Sequence, residues 1–175
     1  MSERHPNIIN ESELPWVDTA AVARAATPAD HDRGQRFGSR ARALGRSAGS
    51  SKLGCSLYEL APGLCSFPFH YHTANEEAIY LLEGSATLRL GEHEVAVSAG
   101  DYIALPVGQA HAHQLINTSS AVVRYLCMST MIYPEVAFYP DSNKVGSICM
   151  AGPGGGLFRQ LQRLGESLPY YDGED

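Results

Sequence analysis

The sequence predicts an all-β fold, either a sandwich or a barrel, built as a single domain. Between residues 53 and 148, short runs of β-branched, aromatic and aliphatic residues alternate with turns rich in Gly, Pro, Asn and Asp. No long helical period interrupts these runs, which disfavours a parallel sheet whose strands are joined by helices. The chain has 175 residues, of which 44% are hydrophobic and 18% are charged, as expected for one folded core.

Three segments are predicted along the chain. Residues 1–38 show no strand-like period and are predicted to form an arm, in which residues 18–26 could make one or two helical turns. Residues 39–150 are predicted to form the β-barrel, and residues 151–175 a glycine-rich connection, a short amphipathic helix and an acidic tail. The helix is predicted because four apolar residues share one helical face: Leu157, Phe158, Leu161 and Leu164. It either packs against the barrel or acts as a mobile lid over its mouth.

Charge and composition exclude several classes of partner. The net charge of -6 argues against nucleic acid, because binding to phosphates needs concentrated Lys and Arg. No stretch reaches the roughly 18 apolar residues of a membrane span. The first residues lack the apolar run of a secretory signal, so we expect a cytoplasmic protein. The four cysteines lie far apart in the sequence and are predicted to be free thiols.

Two histidines separated by one residue, His70 and His72, lie in a segment predicted to be extended. Residues two apart on a strand point to the same face, so both imidazoles can converge on one metal ion. A short turn then leads through Glu76 and Glu77 into another strand. These two glutamates have opposite strand parity, and we therefore expect one to point inward, close to the histidines, and the other outward.

A second pair, His111 and His113, begins a later run, after a turn at residues 106–108. On a strand this pair too would place both imidazoles on one face. A lone histidine is more often a hydrogen-bonded core or surface residue than a metal ligand. The combination of an H-x-H pair, a glutamate after one turn and a further histidine after a second turn is much more specific, and it predicts a metal site.

Two segments of the chain resemble the paired motifs of the cupin superfamily. Residues 63–84 are similar to the first motif, in which two histidines and a glutamate are spaced H-x-H-x4-E and followed by a glycine. Residues 100–117 are similar to the second motif, G-x5-P-x-G-x2-H-x3-N. Two positions depart from the family pattern: Gly63 stands one residue too far from His70, and Asn117 comes two residues late.

The resemblance implies a double-stranded β-helix, which is a jelly-roll barrel, with one divalent transition-metal ion (Mn, Fe, Ni, Cu or Zn). By the motif spacing, the implied ligands are His70, His72, Glu77 and His111. His113 would then lie beside the last ligand, where it could act as a catalytic acid-base residue. The alternative is that His113 is the ligand and His111 its neighbour. Three imidazoles and one carboxylate suit these ions better than Ca or Mg.

The function predicted from this site is metal-dependent chemistry on a small polar molecule, of isomerase, lyase or dioxygenase type. The alternative is a non-catalytic protein that binds a sugar or sugar acid. A looser resemblance, carried by residues 139–145 and the final Tyr-Asp-Gly-Glu, is to bacterial single-domain cupins of the sugar-phosphate-isomerase-like kind. Apolar side chains predicted on the outside of two strands, together with this family resemblance, favour a homodimer.

Overall fold

The computed structural model of the chain describes residues 4–26, 34–150, 156–165 and 167–174. Residues 151–155, which hold most of the predicted glycine-rich connection, and the last residue of the acidic tail lie outside these ranges. The segment boundaries predicted after residues 38 and 150 stay predictions. Among the helices in the described ranges, none has the length and apolarity that a membrane span requires.

Strands dominate the described part of the chain. In order they are β1 (Val17–Asp18), β2 (Ser39–Arg42), β3 (Leu53–Leu60), β4 (Tyr71–His72), β5 (Glu77–Glu83), β6 (Ser85–Leu90), β7 (His93–Ser98), β8 (Tyr102–Leu105), β9 (His113–Ile116), β10 (Val123–Thr130), β11 (Glu135–Tyr139), β12 (Lys144–Met150) and β13 (Leu157–Arg163). Two short α-helices accompany them, α1 (Thr19–Ala26) and α2 (Leu44–Ser47).

The strands pair into three antiparallel sheets. The first has the order β1-β2-β3-β10-β5-β8, the second β13-β12-β11-β4 and the third β7-β6-β9. An isolated bridge between His70 and His113 ties the segment before β4 to the start of β9. The all-β jelly-roll barrel predicted from the sequence is thus confirmed.

The hydrophobic core lies between the facing sheets, and β5 shows how the sequence places residues there. Ile79 and Leu81 are 5% and 0% exposed, whereas Tyr80 and Leu82 between and after them are 37% and 38% exposed. This alternation follows from the two-residue period of a strand. Glu77 has the parity of the two buried residues, so the fold directs its carboxylate into the barrel.

Two aromatic residues beside the predicted ligand histidines, Phe69 and Tyr71, are covered from within the chain. Phe69 is 6% exposed, and the guanidinium of Arg89 lies 3.6 Å from the centre of its ring. Asp141 holds that guanidinium through two hydrogen bonds of 2.6 and 2.9 Å. Tyr71 stacks on Phe138 of the neighbouring strand, with ring centres 5.1 Å apart.

The N-terminal arm lies on the outer face of the first sheet. Both oxygens of the Glu11 carboxylate accept hydrogen bonds from Arg124 of β10, at 2.9 and 3.0 Å. The ring of Trp16 contacts the guanidinium groups of Arg40 and Arg42, 4.8 and 4.2 Å from the ring centre. The helical turns predicted at residues 18–26 are confirmed as α1, whereas the two-residue strand β1 before it was not predicted.

The predicted C-terminal helix is wrong. Residues 157–163 form β13, which pairs with β12 along its whole length. The edge of β12 offers unpaired backbone groups, and pairing with them outweighs the helical spacing of the apolar residues, because tertiary context overrides local propensity. All seven residues of β13 are exposed, so this strand extends the sheet beyond the barrel core.

Candidate metal centre

The candidate site combines side chains from all three sheets. His72 ends β4 in the second sheet, Glu77 begins β5 in the first, and His113 begins β9 in the third. His70 stands just before β4 and pairs with His113 through two backbone hydrogen bonds, of 3.2 and 2.8 Å between N and O. These segments meet inside the barrel and bring four polar side chains together.

The nitrogen and oxygen atoms of the cluster are close enough to share one ion. One ligand atom from each of His70, Glu77 and His113 lies within 4.8 Å of the others. The Oε2 atom of Glu77 lies 3.3 Å from Nε2 of His113 and 3.4 Å from Nε2 of His72. The ring centres of His70 and His72 are 5.0 Å apart, as expected for residues on one face of an extended segment.

Backbone hydrogen bonds fix the orientation of two of the three imidazoles. Nδ1 of His70 donates to the carbonyl of Pro68 at 2.8 Å, and Nδ1 of His113 donates to the carbonyl of His111 at 3.0 Å. A neutral imidazole with a proton on Nδ1 keeps the lone pair of Nε2 available as a ligand. Such hydrogen bonds to the second ring nitrogen are typical of histidines that bind metals.

His72 has buried ring nitrogens without a hydrogen bond. Nδ1 and Nε2 are both inaccessible to solvent, and neither meets hydrogen-bond geometry. Nε2 faces Glu77, while Nδ1 lies 3.6 Å from Oε1 of Glu135, a carboxylate that we had not predicted in the site. An unsatisfied buried polar group is unfavourable, and a cation at Nε2 would remove this deficit at one of the two nitrogens.

Burial and mutual contact shift the pKa values of the cluster. Burial, with the nearby His113 and His72, lowers the pKa of His70 to about 4. Burial also disfavours a charged Glu77, but the close approach of the His113 and His72 rings outweighs it and holds the carboxyl pKa well below its usual range. Burial opposes protonation of His72, yet Glu77 and Glu135 together raise its pKa. The cluster therefore contains an ionised carboxylate beside a neutral imidazole of His70.

His111 lies apart from this arrangement. It ends a 3-10 helix, Gln109–His111, whereas His113 begins β9. The rule that residues two apart share a face applies only within a strand, so the second pair does not converge as the first does. His113 is 5% exposed and contacts Glu77, while His111 is half-buried and contributes its backbone carbonyl to His113. The geometry thus favours the alternative in which His113 is the ligand.

Two residues near the site were missed from the sequence. The ring of Tyr139 stacks on His70 with ring centres 5.9 Å apart, and Glu135 reaches His72 from the same strand, β11. Both lie more than 60 positions from the first histidine pair, and no local pattern connects them to it. Only the pairing of β11 with β4 brings them to the site.

The side chains fit a divalent transition-metal ion. Imidazole nitrogens and a carboxylate form a donor set of intermediate softness, which suits first-row transition metals and zinc. With three histidines and Glu77, such an ion would keep a net charge of +1 and, in an octahedral arrangement, open positions for a small molecule.

Comparison with known proteins agrees with this fold. The profile of the cupin domain family matches residues 56–129. The chain is 29% identical over 102 residues to the tetracenomycin polyketide synthase protein TcmJ of Streptomyces glaucescens. That match covers 58% of this chain and 66% of TcmJ, so the chain spans just under two thirds of the length of this relative.

Two solved structures have a similar fold. A sugar phosphate isomerase of the cupin superfamily from Silicibacter pomeroyi has 24% identity and a TM-score of 0.74, over 94% of this chain and 98% of that one. The polyketide cyclase RemF from Streptomyces resistomycificus has 19% identity and a TM-score of 0.54, over 77% and 84% of the two chains. At these identities the likeness shows the fold alone. Together with the family match over residues 56–129, it shows that this part of the chain has the fold of a cupin domain.

Proposed function

We propose that the protein binds one divalent transition-metal ion through His70, His72, Glu77 and His113, and that it acts on a small polar molecule there. The observation that carries this proposal is the set of buried imidazole nitrogens around the Glu77 carboxylate, of which those of His72 have no hydrogen-bond partner. A bound ion would supply Lewis acidity to an oxygen atom of the substrate for isomerase or lyase chemistry, and a redox-active ion such as iron would supply activation of dioxygen for a dioxygenase.

The chain's own residues prepare the site in two ways. The carbonyls of Pro68 and His111 hold the rings of His70 and His113 so that each Nε2 keeps its lone pair. The Glu77 carboxylate, ionised by its histidine neighbours, supplies the negative charge that offsets a cation inside the barrel. In this assignment His113 is a ligand and so does not carry protons, and His111 shapes the site through its backbone.

Metal analysis of three proteins tests the ligand assignment. About one equivalent of Mn, Fe, Ni, Cu or Zn is expected in the wild-type protein and in His111→Ala, and the metal is expected to be lost in His113→Ala. Loss in His111→Ala with retention in His113→Ala would restore the ligand set implied by the sequence motif. No metal in the wild-type protein, even after incubation with each ion, would refute the proposed site.

Substrate assays on the metal-loaded protein test the activity. The similar structures include one named as a sugar phosphate isomerase and one named as a polyketide cyclase, and both names support a small-molecule substrate. Sugar phosphates and polyketide intermediates are therefore the first compounds to assay. Product formation that disappears in His113→Ala supports an enzyme. A compound that binds the loaded protein and stays unchanged indicates a binding protein instead.

We also propose that the protein is a homodimer that associates through the outer face of β5 and β8. Tyr80 pairs with Tyr102 across these strands, and with Leu82 they leave an apolar surface that is 37%, 65% and 38% exposed at the three positions. A two-fold dimer would pack this surface against its own copy. Light scattering should give twice the chain mass for the wild-type protein and the chain mass for Tyr102→Glu. A monomeric wild-type protein contradicts the dimer.

A cytoplasmic location stays a prediction from the sequence.

A further inference from the structure

Glu135 is a buried carboxylate that accepts hydrogen bonds from the loop at residues 73–75, between β4 and β5. It is 3% exposed, at the start of β11. Its Oε1 accepts a hydrogen bond from the backbone N–H of Thr73 at 3.0 Å, and its Oε2 accepts one from the backbone N–H of Asn75 at 2.7 Å. The side-chain amide of Asn75 also donates to Oε2. The loop that Glu135 holds connects His72 directly to the strand of Glu77.

The same carboxylate faces the ring of His72. Its Oε1 atom lies 3.6 Å from Nδ1 of His72, while Nε2 on the other side of the ring lies 3.4 Å from Glu77. The imidazole thus stands between two carboxylates. For His70 and His113, a backbone carbonyl receives the proton of Nδ1. Glu135 occupies the corresponding place for His72.

We propose that Glu135 is the positioning residue of the site: it orients the ring of His72 through Nδ1 and sets the loop at residues 73–75, so that His72 and Glu77 reach the same ion. This inference rests on the metal site proposed above. Glu135 itself does not bind the ion, because its oxygens are engaged by the loop and the His72 ring separates it from Glu77. A carboxylate on Nδ1 raises the basicity of the ligand nitrogen and fixes its tautomer.

Removing the charge of Glu135 also turns one of its two acceptor oxygens into an amide NH2 group, so a control that loosens the loop alone is needed to separate this role from simple support of the loop. The test variant is Glu135→Gln. The matched control is Asn75→Ala, which removes the side-chain hydrogen bonds that join the loop to Glu135, Ile132 and Thr130, but leaves the contact with His72 untouched. Co²⁺ is added to metal-free full-length protein. Its affinity is measured by competition with a chromophoric chelator, and its visible absorption reports the coordination.

Glu135→Gln should weaken Co²⁺ binding by about 10- to 100-fold and change the visible spectrum, the range seen when such outer partners of a metal ligand are removed. Asn75→Ala should lower the thermal midpoint but keep the affinity within about threefold of wild type, because it leaves the ligand ring alone. Equal loss of Co²⁺ affinity in both variants would show that Glu135 only supports the loop and would overturn the inference. So would a Glu135→Gln protein with wild-type affinity. A wild-type protein that binds no Co²⁺ refutes the metal site itself, a different failure.

A measurement on the wild-type protein covers the case in which Glu135→Gln does not fold. Nitrogen-15 NMR of the histidines, with Zn²⁺ bound, distinguishes the ring nitrogen that carries a proton from the one that binds metal. We expect His72 to bind through Nε2 and to keep a proton on Nδ1, directed at Glu135. Zinc on Nδ1 of His72 would overturn the inference without any variant.

Discussion

Asn117 is expected to be one of the most important polar residues for stability. It is fully buried, at 0% exposure, just after β9. Its side-chain nitrogen donates to the carbonyls of Leu60 and Ala121, both at 2.8 Å. Its side-chain oxygen accepts from the backbone N–H and the hydroxyl of Ser119, at 3.0 and 2.7 Å. One amide therefore joins the end of β3 to the turn that leads into β10.

The change Asn117→Ala leaves these partners without the amide, and the cost can be worked out bond by bond. The carbonyl of Leu60 is buried with Asn117. Losing the hydrogen bond to it should lower the free energy of unfolding by about 2 kcal/mol, in the range for an unsatisfied buried acceptor. The other bonds are only partly buried, so water replaces the amide there and they add about 1 kcal/mol together. The total of about 3 kcal/mol corresponds to a fall of about 9 °C in the thermal midpoint of a chain of this size.

Urea unfolding followed by circular dichroism measures the change, with an unchanged slope against urea as the check that both proteins unfold alike. Ser119→Ala is the control, since it removes the Ser119 hydroxyl but leaves the hydrogen bond between Asn117 and Leu60. This variant should lower the free energy of unfolding by under about 1 kcal/mol. The reasoning is refuted if Asn117→Ala lies within about 1 kcal/mol of wild type, or is no worse than Ser119→Ala.

Three further predictions follow from other features. Leu81→Ala should lower the free energy of unfolding by about 3 kcal/mol. Leu82→Ala, which is exposed in the single chain, should lower it by under about 1 kcal/mol under conditions where the protein is monomeric; equal effects would contradict the assigned faces of β5. In metal-free protein, the pKa of His70 of about 4 lies below the ordinary value, so the unfolded chain binds more protons and stability rises with pH from about 4 to about 6.5. The free energy of unfolding, measured by denaturation at pH 4 and at pH 6.5, should therefore increase less in His70→Gln than in the wild-type protein. An equal increase in the two proteins would contradict this prediction. Glu11→Gln should lower the free energy of unfolding by at most about 1 kcal/mol, as expected for a half-exposed ion pair with Arg124. It should also speed hydrogen exchange of the backbone amides in the N-terminal arm. Unchanged exchange would show that the ion pair does not hold the arm in place.

The sequence was sufficient where its signal was local. Strand alternation predicted that Glu76 and Glu77 take opposite faces, and the H-x-H spacing predicted that His70 and His72 converge. Both inferences need only the geometry of an extended chain, so no knowledge of distant segments was required.

The sequence was insufficient where distant segments decide the structure. Glu135 contacts a loop about 60 residues earlier, through pairing that no local pattern reveals. The prediction that His111 and His113 share one face assumed that both lie on a strand, but His111 lies in a 3-10 helix. The C-terminal residues have the spacing of a helix, yet the free edge of β12 makes them a strand. In each case the missing information is the position of a partner, which the local spacing of residues does not contain.

The origin of the candidate ligands in three different sheets has a consequence for folding. The four side chains meet only after all three sheets have packed, so a metal ion can bind tightly to the completed barrel and only weakly to partly folded forms. By mass action, a ligand at 100 times its dissociation constant stabilises the state it binds by about 2.7 kcal/mol. The apparent thermal midpoint of the protein would therefore depend on the concentration of free metal. An ion at this position would act as a cross-link between the sheets, and a chelator would loosen the barrel as well as empty the site.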